Sequence, residues 1–140
     1  MDSTRTSSLR GGFTLVELIV VIVVLAILAG IAIPKYFDYS VNAKQSACQG
    51  TLGGVRSAVS NFYANAAVSG TTAFPTLVQI QTTGTVMQEA IAANPYNGSA
   101  VIAAATWTTS QAVSGTSGWN YDAATGHFWA NSSTVGENAW

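Results

Sequence analysis

Between Leu18 and Ile33 the chain carries 16 consecutive residues without a polar side chain, LIVVIVVLAILAGIAI. Phe13, Leu15 and Val16 extend this run to 21 residues, interrupted only by Thr14 and Glu17. As a helix it would span about 32 Å, which matches a bilayer hydrocarbon core of about 30 Å. Its Val and Ile content also suits a strand, but buried strands run only about 4 to 8 residues, so length decides for helix. A helix apolar on every face lies in lipid or inside a large core. A chain of 140 residues has no core large enough to surround it. The stretch is therefore read as membrane-spanning. Arg5 and Arg10 precede it, while Lys35 and Asp38 follow and cancel, which predicts a cytoplasmic N-terminus and a translocated remainder. A cleaved secretory signal fits less well, because the run exceeds the usual apolar length and shows no clear small-residue cleavage site.

One residue contradicts the lipid environment. A carboxylate inside a membrane stretch costs a few kcal/mol even on gentle scales, and Glu17 is such a residue. It either lies near the interface and snorkels or meets a cation. The nearest conceivable cation is an amino terminus created by a cut just before it, and Gly11-Gly12 ahead of Phe13 offers the place. Gly30 and Pro34 then put two helix weakeners within about one turn, marking a kink or a loosened segment.

Gly12-Phe13-Thr14-Leu15-Val16-Glu17, running into the apolar stretch and Pro34, closely resembles the type IV pilin and type II secretion pseudopilin superfamily. The resemblance is specific over residues 11–34, looser over 35–63 and only suggestive beyond. It implies that residues 1–12 are a cytoplasmic leader, removed by a prepilin peptidase between Gly12 and Phe13, and that Phe13 is then N-methylated. It implies that Glu17 pairs with the N-terminal amine of a neighbouring subunit, and that Gly30 and Pro34 mark where the helix melts or kinks in a filament. The implied partners are further copies of the chain, minor pilins or pseudopilins, the peptidase and an inner-membrane assembly platform. The implied location is the bacterial inner membrane as a single-pass, N-in precursor, and afterwards a periplasmic or cell-surface filament.

After Pro34 the apolar positions run Phe37, Val41, Cys48, Leu52, Val55, Val59, Phe62 and Ala66, an amphipathic helical stripe. The expected domains are thus 13–34, transmembrane or filament-core helix; 35–66, its amphipathic continuation; and 67–140, a β-rich head. Within the head, Thr85-Val-Met-Gln88 has capping-box spacing and predicts a short helix through about Ala92. Val101 to Trp107 reads as a strand and 110–118 as a loop. Gly118-Trp-Asn-Tyr-Asp122 and His127-Phe-Trp-Ala-Asn131, joined by Ala-Ala-Thr-Gly126, read as a hairpin with one face on the helix and the other free for subunit contact. The fold class is α+β: a long N-terminal helix packed on a small C-terminal antiparallel sheet.

Charge is scarce. Asp, Glu, Lys and Arg make up 8% of the chain against roughly a quarter in soluble domains, and the net charge is −1. Beyond Arg56 there is no Lys or Arg, which argues against nucleic acid as a partner. Cys48 and His127 each occur singly, so no disulfide or paired Cys/His metal site is available. Asp122 and Glu137 are the two carboxylates that a calcium site in the C-terminal loop could use, too few for its usual 6–8 oxygens unless others join. No cofactor and no enzymatic activity are expected; a hydrolase centred on His127 with Asp122 lacks a poised nucleophile. The main expectation is a polymerising prepilin of a pilus or a secretion pseudopilus. The alternative is a single-pass membrane-anchored binding module that never polymerises.

Overall fold

Thr14 starts the long helix: its Oγ1 accepts the Glu17 N–H at 3.2 Å, satisfying one of the donors that every helix start leaves open. In the computed structural model, which describes residues 12–140, α1 spans Leu15–Val68. Of the leader expected at 1–12, all but Gly12 lies outside the described residues, as do Arg5 and Arg10. The chain divides into two units, Met1–Tyr39 and Ser40–Trp140, and each is taken by itself.

In the first unit, every described side chain from Gly12 to Tyr39 is exposed. The helix is continuous through Pro34. Proline has no N–H to offer the carbonyl four residues back, and that carbonyl belongs to Gly30.

In the second unit, Cys48, Leu52, Val55 and Val59 of α1 form the buried stripe. They pack with Ile80, Ile102, Trp119, Tyr121, Phe128 and Ala130 into one core. The start of the expected stripe is open: Phe37 and Val41 are exposed. At the other end α1 closes with Gly70 at φ +83°, and Thr71 N–H reaches back to the Ala66 carbonyl at 2.9 Å. That long reach-back over a left-handed glycine is a Schellman stop.

The short helix of the head is not where Thr85 and Gln88 place it. Helix α2 spans Leu77–Gln81 and carries a complete capping box between Thr76 and Gln79, the same spacing nine residues earlier. Segment 82–92 instead turns at Gly84, φ +84°, whose N–H bonds the Met87 carbonyl at 2.6 Å. A turn that already pairs Gly84 with Met87 leaves Thr85 no helix to cap.

Three strands follow: β1, Ile102–Ala104; β2, Trp119–Asp122; β3, His127–Ala130. Their order is β1-β2-β3. The hairpin β2–β3 is antiparallel, with Trp119 opposite Ala130 and Asp122 opposite His127. However, β1 pairs with β2 in parallel, so the sheet is mixed rather than purely antiparallel, and β1 is shorter than the run 101–107 suggests. Parallel neighbours need a crossover of about a dozen residues, and 105–118 provides it.

That crossover corrects a second expectation. All four residues of β2 and three of four in β3 are buried, so neither face of the hairpin is free. One face, with Trp119, Tyr121, Phe128 and Ala130, meets α1. The other, with Asn120, Asp122 and Trp129, lies under the 105–117 strap: Asn120 Nδ2 donates to the Ala112 carbonyl at 3.2 Å and Trp129 Nε1 to the same oxygen at 3.3 Å. Gly118 joins strap to strand at the tightest point of the head. A Cβ there would sit 1.8 Å from the Ser99 carbonyl oxygen.

Candidate functional site

The N-terminal candidates share one short stretch. Gly12 and Phe13 precede the helix, Phe13 at 83% exposure, and Glu17 stands in the first turn. A carboxylate at that place lies beside the partial positive charge of a helix start, and Thr14-x-x-Glu17 has capping-box spacing. The sequence reading missed this local role for Thr14. From Leu18 to Ile33 every side chain is apolar and exposed, and α1 is the one described helix long and apolar enough to cross a membrane by length and composition.

In the head, the suspected chemical residues are fastened into the framework. Asp122 Oδ2 accepts the Trp107 N–H at 2.9 Å and the Thr125 hydroxyl at 2.9 Å, while Oδ1 accepts the Ala124 N–H at 2.9 Å. The Trp107 amide holds its carboxyl below the ordinary value, outweighing burial with help from Ala124 and Thr125. His127 stands opposite Asp122 in the register, but its ring stacks on Trp107, centroids 4.2 Å apart and 13° from parallel. The carboxylate thus serves the strap and the turn, and the imidazole is a stacking partner.

Glu137, in the 3₁₀ turn Glu137–Ala139, is completely buried. Burial pushes its carboxyl up, but hydrogen bonds from Ser132 and from the Val135 and Thr134 amides outweigh it and hold it below the ordinary range. Its oxygens lie 2.8 Å from Val135 N and 3.0 Å from Thr134 N. Among the described residues no three His, Cys, Asp or Glu side chains gather as a metal site. Cys48 is sealed in the core; burial first, and the nearby Glu137 charge second, push its thiol up to about 11 against the pull of Arg56.

Arg56 and Asn131, to which the sequence alone assigns no such role, organise this region. Arg56 donates from Nε to the Phe128 carbonyl at 2.9 Å and from Nη2 to the Trp140 main-chain oxygen. Asn131 is wholly buried. Its Oδ1 accepts from Ser114 N at 2.7 Å, and its Nδ2 donates to Ser117 Oγ and to Ser114 Oγ at 2.6 and 2.8 Å. Asn131-Ser-Ser133, a glycosylation-like triplet, therefore presents no free amide. Spacing alone could not reveal either role, because both depend on partners far along the chain.

Comparison with known proteins adds to this geometry. The family model described as the prokaryotic N-terminal methylation motif matches residues 7–33. The fimbrial protein EcpC of Eikenella corrodens is 44% identical over 57 residues, 41% of this chain and 37% of that protein. The type IV major pilin protein PilE1 of Neisseria gonorrhoeae is 42% identical over 59 residues, 42% of this chain and 36% of that protein. In these two the match spans about a third of the relative's length. The type IV narrow pilus major component PilA5 of Thermus thermophilus is 37% identical over 99 residues, 71% of this chain and 70% of that protein. The chain belongs to the type IV pilin family. No solved structure gives a significant match. The α+β architecture described above, one long apolar helix and a small C-terminal sheet, fits a type IV pilin, and the exposed N-terminal helix fits membrane anchoring and a surface filament. None of these three relatives bears an enzyme's name.

Proposed function

We propose that this type IV pilin is a structural, non-enzymatic filament subunit made as a prepilin. In this reading a prepilin peptidase cuts between Gly12 and Phe13, and Phe13 becomes the N-methylated terminus. The precursor waits in the inner membrane with its N-terminus in the cytoplasm, and an assembly platform moves it into a filament with other copies and minor pilins. Glu17 then pairs with the amine of a neighbour's Phe13. Gly30 and Pro34, four residues apart, are where the helix yields. The observation that carries this reading is the wholly exposed stretch of α1 from Leu15 to Ile33, apolar apart from one carboxylate in its first turn. Such a surface needs lipid before assembly and identical helices after it. The relatives' names favour a pilus over a secretion pseudopilus. Asp122 and Glu137 act as loop fasteners in this reading, without calcium, because main-chain N–H groups already claim their oxygens.

The test combines mass spectrometry with one substitution. The mature protein is expected to begin at a methylated Phe13. Glu17→Leu is expected to insert into the membrane normally and to give few or no filaments by electron microscopy. An uncut N-terminus with no filaments from the native chain would favour the membrane-anchored, non-polymerising module. Normal filament yield from Glu17→Leu would remove the pairing role alone.

A further inference from the structure

The sheet has two edges without a strand partner, and on each a side chain holds one of the outward carbonyls. In the antiparallel hairpin, residues alternate between bonding the partner strand and pointing away. Asn131 N–H bonds the Gly118 carbonyl at 3.0 Å, so Phe128 and Ala130 turn their main-chain groups outward from β3. On the far side, Trp119 N–H bonds Val101 O at 3.1 Å and Ala105 N–H bonds Tyr121 O at 3.0 Å, so Ile102 and Ala104 turn theirs outward from β1. Arg56 Nε takes the outward Phe128 oxygen at 2.9 Å. Gln81 Nε2 takes the outward Ile102 oxygen, also at 2.9 Å. One guard comes from α1 and the other from the end of α2.

Unpaired strand edges invite pairing with another chain, and proteins blunt them with short strands, covers and charges, lysine above all. This chain has no lysine after Lys44, and Arg56 is its one cation from there to Trp140. Of the three acidic residues in that stretch, Asp122 and Glu137 are buried and only Glu89 is exposed. Charge repulsion is thus nearly absent from a head that self-assembly would crowd against its own copies. The single cation sits on the sheet edge, and the turn Glu137–Ala139, which Arg56 also tethers through Trp140, lies against β3.

We propose that Arg56 and Gln81 are edge guards: they close β3 and β1 against strand addition by a second copy of this chain, so that copies associate through other surfaces. The role is independent of whether the chain polymerises through its N-terminal helix. One lost guard removes a hydrogen bond that a foreign N–H can then replace. The expected effect is about a tenfold gain in self-association, equivalent to about 1.4 kcal/mol.

The test uses the full chain in detergent micelles, with Gln81→Ala and Arg56→Met as separate variants, the methionine keeping an apolar stem without donor or charge. Near-ultraviolet circular dichroism of the buried Trp119 and Trp129 reports folding. Self-association is followed by light scattering and by the infrared signature of intermolecular β-structure. Hydrogen exchange on the associated form locates the new pairing. The proposal expects folded variants that associate about tenfold more readily, with new protection at 127–130 for Arg56→Met and at 102–104 for Gln81→Ala. Folded variants with unchanged association overturn it, and so does association whose protection lies elsewhere. If Arg56→Met loses its tryptophan signal, Gln81→Ala, altered on the exposed side of α2, decides alone.

Discussion

Asp122 shows how much one side chain carries in a head with so few charges. Its two oxygens fasten the strap at Trp107 and the hairpin turn at Ala124 and Thr125. Because these donors favour the charged form, its folded pKa lies below the ordinary value of about 3.9. A depressed folded value stabilises the native state above the unfolded pKa, and that stabilisation fades as pH falls through the folded one. The melting temperature should therefore drop once pH goes below about 4. Asp122→Asn should melt several degrees lower at neutral pH and show a shallower acid slope in thermal melts followed by circular dichroism. Some slope should survive, because Glu137 is depressed in the same direction. The sequence reading weighed Asp122 as a calcium ligand or a partner for His127. Spacing could not show that the Trp107 amide, 15 residues away, had already claimed the carboxylate.

At the scale of elements, the hairpin was legible and its surroundings were not. Alternating aromatics on either side of a tight turn ending at Gly126 located β2 and β3 within a residue, since that pattern is local. The strap was invisible: 105–117 is rich in small polar residues and lacks periodicity, and its order comes from Asn120, Trp129 and Asn131 on another element. A capping-box spacing occurs at Thr76–Gln79 and again at Thr85–Gln88, and the turn at Gly84 decides which of these two starts a helix. Asn131→Ala tests the strap directly. The substitution removes the acceptor of the Ser114 and Gly115 amides and of the buried Asn120 Nδ2, and the donor to the Ser114 and Ser117 hydroxyls; a buried polar group left unpaired costs about 1–3 kcal/mol. Amide exchange at Ser114 and Gly115 should accelerate well beyond any change in α1, and the melting temperature should fall by several degrees. Equal acceleration throughout the head would mean that strap and sheet open as one unit.

Across the whole molecule, the shortage of charge has separate causes in its two units. In the N-terminal helix it belongs to a surface made for lipid or for identical helices. In the head, the shortage goes with a sheet buried on both faces and with carboxylates turned inward to hold loops. The long helix and the family were readable from residues 12–34 because both rest on contiguous residues. The mixed sheet, the strap and the Arg56 clasp were not, because each is defined by residues distant in sequence.

The Arg56 clasp should also protect the bond after Arg56 from digestion. Enzymes that cut after lysine or arginine find Lys35 and Lys44 exposed on α1, but beyond them only the bond after Arg56. That residue is half-buried within a helix, its guanidinium tied to Phe128 and Trp140. Limited trypsin treatment of the folded protein should therefore leave 45–140 as one lasting fragment on a gel. A second cut, after Arg56, should come only when the head unfolds. Beyond Lys44 the folded chain would thus meet trypsin-like enzymes with its one cleavable bond locked inside its own fold.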